Sequence, residues 1–131
     1  MYFGDKLQRI SIGGRELPVK IDMFVLEKIQ EEYETLHNFE LKVKGLEERL
    51  DENGIAEVDE EGNVLYNRVP VNIKALIDVL PLMVREGCEI EGIELELTDK
   101  EIVQKIEVGY PKIQEIVINA FNDCFRTSKK E

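Results

Sequence analysis

Hydrophobic and polar positions follow two different periods along this chain. At the N-terminal end Leu7, Ile10 and Ile12 alternate in part with polar neighbours, and Leu17, Val19 and Ile21 alternate cleanly. Gly13-Gly14 lies between the two runs and supplies the positive φ angles of a tight turn, so residues 6–21 are predicted to form a β-hairpin. Pro18 lacks an N–H to donate, which places its strand at an edge or bends it.

After Ile21 the period lengthens. Asp22 is a suitable N-cap, and Leu26, Ile29, Tyr33 and Leu36 recur at three- and four-residue spacing, predicting a helix whose Glu27, Glu31 and Glu34 face water. His37-Asn38 is expected to interrupt it. Phe39, Val43, Leu46 and Leu50 then fit a second helix over 38–50, against the cost of Gly45 in its interior. Residues 51–68 change character: Asn53-Gly54 and Glu61-Gly62-Asn63 are turn signals around Ile55-Ala56-Glu57-Val58, with Val64-Leu65-Tyr66 as a return strand, so an acidic hairpin or loop insert is predicted.

The helical period resumes over 72–126. Asn72 caps a helix from Ile73 to about Glu86, with Gly87 as its stop and Pro81 expected to kink or split it. Ile93, Leu95 and Leu97 alternate as a short strand would. Thr98-Asp99-Lys100-Glu101 has capping-box spacing and opens a short helix to about Glu107. Gly109 with Pro111 starts a last helix to about Phe125, and 127–131 is expected to fray. No internal repeat stands out. The fold class expected is α+β, mainly α: a single domain spanning 1–131, with an N-terminal β-hairpin, four to five helices and an acidic insert.

Charge narrows the function. The chain has 131 residues, with 17 Lys plus Arg against 28 Asp plus Glu, for a net charge of −11. That balance repels phosphate backbones and anionic membranes, so neither nucleic acid nor membrane is an expected partner. No apolar run approaches the roughly 20 residues of a membrane span, and Met1-Tyr2-Phe3-Gly4-Asp5 does not read as a signal peptide. Residues 27–61 hold 13 acids and 4 bases, so most of the net charge sits there, as a solvated face or a docking surface for a basic partner.

Candidate chemistry is sparse. Cys88 and Cys124 are the only cysteines and read as reduced apolar fillers. Glu57, Asp59, Glu61, Gly62 and Val64 imitate part of a calcium loop, but the twelfth position is Arg68 instead of a bidentate carboxylate. His37 has no partner at a catalytic or metal-binding spacing, and no glycine-rich phosphate cradle is present. No cofactor and no metal is expected, and the reading is a non-enzymatic binding protein. Val79, Leu80, Leu82 and Met83, and again Ile116, Val117 and Ile118, form stripes wider than one buried face requires, as in a fully buried helix or a face kept for a partner or for self-association.

The order of elements resembles a known family. A strand pair runs into Ile21-Asp22. A helix with Glu31-Glu32-Tyr33-Glu34-Thr35-Leu36 leads to Asn38-Phe39-Glu40-Leu41 and Gly45-Leu46. After a variable acidic insert come Val71-Asn72-Ile73-Lys74-Ala75-Leu76 and Met83-Val84-Arg85-Glu86-Gly87, then Leu97-Thr98-Asp99-Lys100-Glu101-Ile102 and an amphipathic helix. Together they resemble the tail assembly chaperones of long-tailed phages, prophages and gene transfer agents. The resemblance covers nearly the whole chain as a loose pattern without one diagnostic motif. It implies a protein of the bacterial cytoplasm that coats the helical tape-measure protein, keeps it soluble while the tail tube assembles, and is absent from the mature virion. Such proteins often have a longer product made by ribosomal frameshifting. The tail tube protein is a possible second partner. Tyr33, Phe39, Leu41, Met83, Ile116 and Phe121 are the expected partner face, drawn from the excess of apolar positions. Three competing readings are a small acidic regulator that mimics nucleic acid to inhibit a DNA-binding protein, a structural tail accessory protein, and an enzyme with substrate-built chemistry, which would require a deep polar pocket around His37.

Overall fold

The computed structural model describes residues 7–126, so the expected frayed tail and the first residues lie outside the described part. The expected α+β, mainly α architecture is present. Strands β1 (Gln8–Ile12) and β2 (Arg15–Val19) form the N-terminal hairpin, followed by α1 (Met23–Tyr33) and α2 (Leu36–Lys44). Then come β3 (Leu46–Glu48), β4 (Tyr66–Arg68), α3 (Ile73–Glu91), α4 (Asp99–Gln104) and α5 (Tyr110–Asp123).

The hairpin register pairs Ile10 with Leu17 and Ile12 with Arg15. Ile10, Ile12, Leu17 and Val19 are all buried, as the period-two pattern requires. The outer edge of β2 lies against α3, the hub of the molecule, which also meets α1, α2, α4 and α5. The approach of β2 to α3 is unusually close. Lys20 N–H donates to Met83 O at 3.1 Å, and a Cβ at Gly87 would stand 2.3 Å from Pro18 O. Gly87 is therefore not the helix stop expected from sequence. It is an interior position left without a side chain so that the strand can pack, and Gly92 ends the helix one turn later.

Pro81 likewise sits inside a continuous α3 instead of splitting it. The helix is gripped on several sides, with Val79, Leu80, Met83 and Val84 almost fully buried, and this packing outweighs one missing backbone hydrogen bond. Most of both wide apolar stripes is core: Val79, Leu80, Met83, Ile116 and Val117 are buried, and Leu82 and Ile118 are partly buried against them.

Two boundaries move. The break between the first helices falls at Glu34, whose φ is +72°, and Thr35 caps α2, so His37 and Asn38 are helical. Gly45 then ends α2, and residues 46–48, expected to be helical, are strand. No strand forms at 93–97. The capping box at Thr98 and Glu101 is closed in both directions, though α4 stops at Gln104, short of Glu107.

The acidic insert is an ordered tongue of three short arms. Arg49 N–H donates to Leu65 O, Leu65 N–H to Glu57 O, and Glu57 N–H to Arg49 O, at 2.8–2.9 Å, so each arm pairs with both others. Two equivalent acidic turns join the arms. Asp51 Oδ1 accepts from the N–H groups of Asn53 and Ile55, and Asp59 Oδ1 accepts from those of Glu61 and Asn63. Gly54 and Gly62 take the positive φ each turn needs. Asp51-Glu52-Asn53-Gly54 and Asp59-Glu60-Glu61-Gly62 are thus a short internal repeat, which corrects the reading that none exists.

Candidate functional site

The residues expected to meet a partner divide sharply. Phe39, Met83, Ile116 and Phe121 belong to the buried core. Phe39 stacks at a tilt on Tyr33 and on Phe121, with ring centroids 5.4 and 5.7 Å apart. Tyr33 and Leu41 are half-buried. The correction has a simple cause: α2, α3 and α5 are enclosed over broad arcs, so their extra apolar positions fill the interior. Several apolar side chains do reach solvent, Leu50 of the expected second-helix stripe among them. Met23 and Phe24, 77% and 71% exposed, stand at the start of α1, with Ile77 and Ile90 on α3 and Ile55 and Val58 on the tongue. Met23-Phe24 carries a sequence signal of its own, an apolar pair outside the repeating face of Leu26 and Ile29.

A groove of about 470 Å3 lies between α1 and α3. Its floor is Leu82 over the almost fully buried Ile29 and Val79, and Lys28, Glu31, Glu32, Tyr33 and Asp78 complete its walls. The helices run antiparallel here, since the end of α1 meets the first half of α3 and Asp22, at the start of α1, meets Glu86.

The two ends of this helix pair differ electrostatically. At one end Tyr33 Oη donates to Asp78 Oδ2 at 2.6 Å, and Lys74 Nζ bridges Asp78 and Glu32 at 2.7 and 3.1 Å. Burial works against ionisation of Asp78, but hydrogen bonds from Lys74 and Tyr33 overcome it and hold the carboxyl below its ordinary range. Burial and the bond to Asp78 push the Tyr33 phenol well above its usual value. One ammonium thus faces two carboxylates, which leaves this end with one net negative charge.

At the other end two carboxyls meet without a cation. Asp22 caps α1 by accepting from Val25 N–H at 3.2 Å, and its carboxyl also shares a hydrogen bond with Glu86. That bond, partial burial and the nearby charges of Asp22 and Glu89 raise the Glu86 carboxyl to about 7. Neither residue is in an ion pair among the described residues.

The remaining candidates are plain. His37 is half-exposed, with Glu48 and Glu40 at 3.5 and 3.9 Å, and does not line the groove. Asp59 of the calcium-like stretch spends both carboxylate oxygens on its own turn, and the backbone bond from Asn63 leads the effects that hold its carboxyl below the usual range. Cys88 and Cys124 are free thiols, both raised by burial. No helix among the described residues is long and apolar enough to cross a membrane. Comparison with protein-family models, curated proteins and solved structures finds no match to this chain.

Proposed function

We propose that this protein is a non-enzymatic tail assembly chaperone of a phage or prophage, which binds the helical tape-measure protein in the host cytoplasm and keeps it soluble until the tail tube forms. The observation that carries this reading is the combination of a closed apolar core with exposed Met23, Phe24, Ile77 and Ile90 on a strongly acidic chain. Such a surface suits an amphipathic helix with an apolar stripe and basic flanks. Apolar contact supplies attraction, and the acidic charge keeps the complexes from associating with one another.

Co-expression with the long helical protein encoded next to it tests this. The expected result is a partner that is insoluble alone and co-purifies in the soluble fraction with this chain, while purified virions lack the chain. A partner that stays insoluble in its presence contradicts the proposal, and retention in virions favours a structural tail part. The ordered acidic turns of the tongue favour one second reading, an inhibitor that imitates nucleic acid; a salt-sensitive complex with a basic DNA-binding protein would support it.

A further inference from the structure

We infer that one face of the tongue is a docking platform for a basic, amphipathic segment of a protein partner, seated on Leu50 and Val58 beside the carboxylates of the two acidic turns. The inference goes beyond the chaperone reading, because it fixes the chemistry of the ligand and stands whichever protein carries it.

The face follows from the register of the arms. Leu50 lies opposite Ala56, Val58 opposite Val64 and Glu48 opposite Tyr66, and facing residues of an antiparallel pair project to the same side. Alternation along each arm joins these pairs, since Glu48 and Leu50, Ala56 and Val58, and Val64 and Tyr66 are each two residues apart. One side of the tongue therefore gathers Leu50, Ala56, Val58, Val64 and Tyr66. The other side carries Arg49, Glu57 and Asn67, and their contacts agree: Arg49 Nε donates to Asn67 Oδ1 at 3.2 Å, and Arg49 Nη1 lies 4.0 Å from Glu57. Ile55, next to Ala56, falls on that second side. Among the described residues the platform belongs neither to the core nor to the half-buried apolar residues packed on it. Leu50 and Val58 are each 54% exposed, and the turns are closed by backbone bonds and by Asp51 and Asp59. A one-sided apolar strip that the fold leaves uncovered is a surface for a partner to cover.

Charge selects the occupant. Residues 51–61 hold six acids and no base. Glu52, Glu60 and Glu61 are exposed and in no ion pair among the described residues. Arg49, the cation within the arms, is engaged on the other side by Glu57 and Asn67. A second copy of this chain would bring acid to acid, and nucleic acid or anionic lipid would be repelled in the same way. The complement is a segment whose apolar residues are flanked by Lys or Arg: apolar contact on Leu50 and Val58 supplies attraction, and the acidic turns steer the cations.

The test uses the full chain and a synthetic peptide built from repeats of Leu-Lys-Lys-Leu-Leu-Lys-Leu, titrated while backbone amide shifts are followed by NMR. The shifts report each surface separately, so contact on the tongue is read apart from contact along α1 and α3. Binding at the tongue amides is expected, weakening several-fold between about 50 and 300 mM salt. Leu50→Gln with Val58→Thr should weaken it about tenfold. Val58→Thr alone, which keeps the branched shape and the strand preference, should act in the same direction. Ile55→Thr, at an equally exposed position on the other side, should leave the affinity unchanged. Glu52→Gln, Glu60→Gln and Glu61→Gln together should flatten the salt dependence. A peptide that leaves the tongue amides unmoved, that binds the Leu50/Val58 variant undiminished, or that loses as much affinity to Ile55→Thr as to Val58→Thr overturns the inference. So does a dimer of the chain, seen by sedimentation, that the Leu50/Val58 changes abolish. These outcomes are separate from the co-expression result, which reads tape-measure solubility and does not involve this peptide.

Discussion

The hairpin and the tongue are both small antiparallel β structures, yet they are held by opposite means. The β1–β2 hairpin has inward-facing Ile10, Ile12, Leu17 and Val19 buried against the helices, and β2 presses so closely on α3 that Gly87 can carry no side chain. The tongue buries none of its side chains fully and leaves Leu50, Ile55 and Val58 more than half exposed. Its shape comes from backbone pairing and from two aspartates that close their own turns. One region is fixed by removal of apolar surface from water, the other by local polar geometry. Stability should therefore be concentrated around α3, while the tongue can vary or open without taking the fold with it.

Substitutions can break this contrast, and the largest effect should come from the hub. Met83→Ala removes a side chain with no exposed surface and should cost about 2–5 kcal/mol by denaturant titration. Gly87→Ala should cost about 1–3 kcal/mol, because the new methyl meets the Pro18 backbone, which must move. The carboxyl pair sharpens the picture through pH. Glu86 keeps its proton in the fold up to about 7 but releases it near its ordinary value when unfolded. The native state thus binds more protons between those limits, and this contribution to stability falls as pH rises through 7. The loss should be about 1 kcal/mol between about pH 5 and 8, allowing for solvent screening, and absent in Glu86→Gln. Smallest of all, Asp51→Ala with Asp59→Ala should move the global midpoint by about 2 °C or less while speeding amide exchange at Ile55 and Asn63.

Much of the framework was legible because local rules and tertiary demands agreed. The hairpin turn, the caps at Asp22, Asn72 and Thr98, and the position of α5 all follow from short spacings. Sequence reading failed where a glycine had two possible meanings. Gly87 looked like a helix end, but its lack of a side chain serves contact with a strand distant in sequence. Gly45 looked like a tolerated interior residue, but it ends α2 and sends the chain into the tongue. The repeat of the two acidic turns was hidden because only Asp, Glu and Gly recur, over four residues each. The expected partner face failed for a related reason: a wide apolar stripe cannot itself distinguish a helix enclosed on several sides from one kept for a partner. Phe39, Met83, Ile116 and Phe121 went to the interior, whereas the groove and the Asp22–Glu86 meeting depend on α1 lying antiparallel to α3, which no local pattern specifies.

The central claim is that partners dock on the outside of a closed core, along α1 and α3. Hydrogen exchange on the chain alone and in its co-purified complex tests it most directly. The account predicts new protection within 23–32 and 77–91, with the slow amides of β1, β2 and α5 unchanged. Faster exchange around Phe39, Ile116 and Phe121 in the complex would mean that the core opens to receive the partner, and would contradict the account.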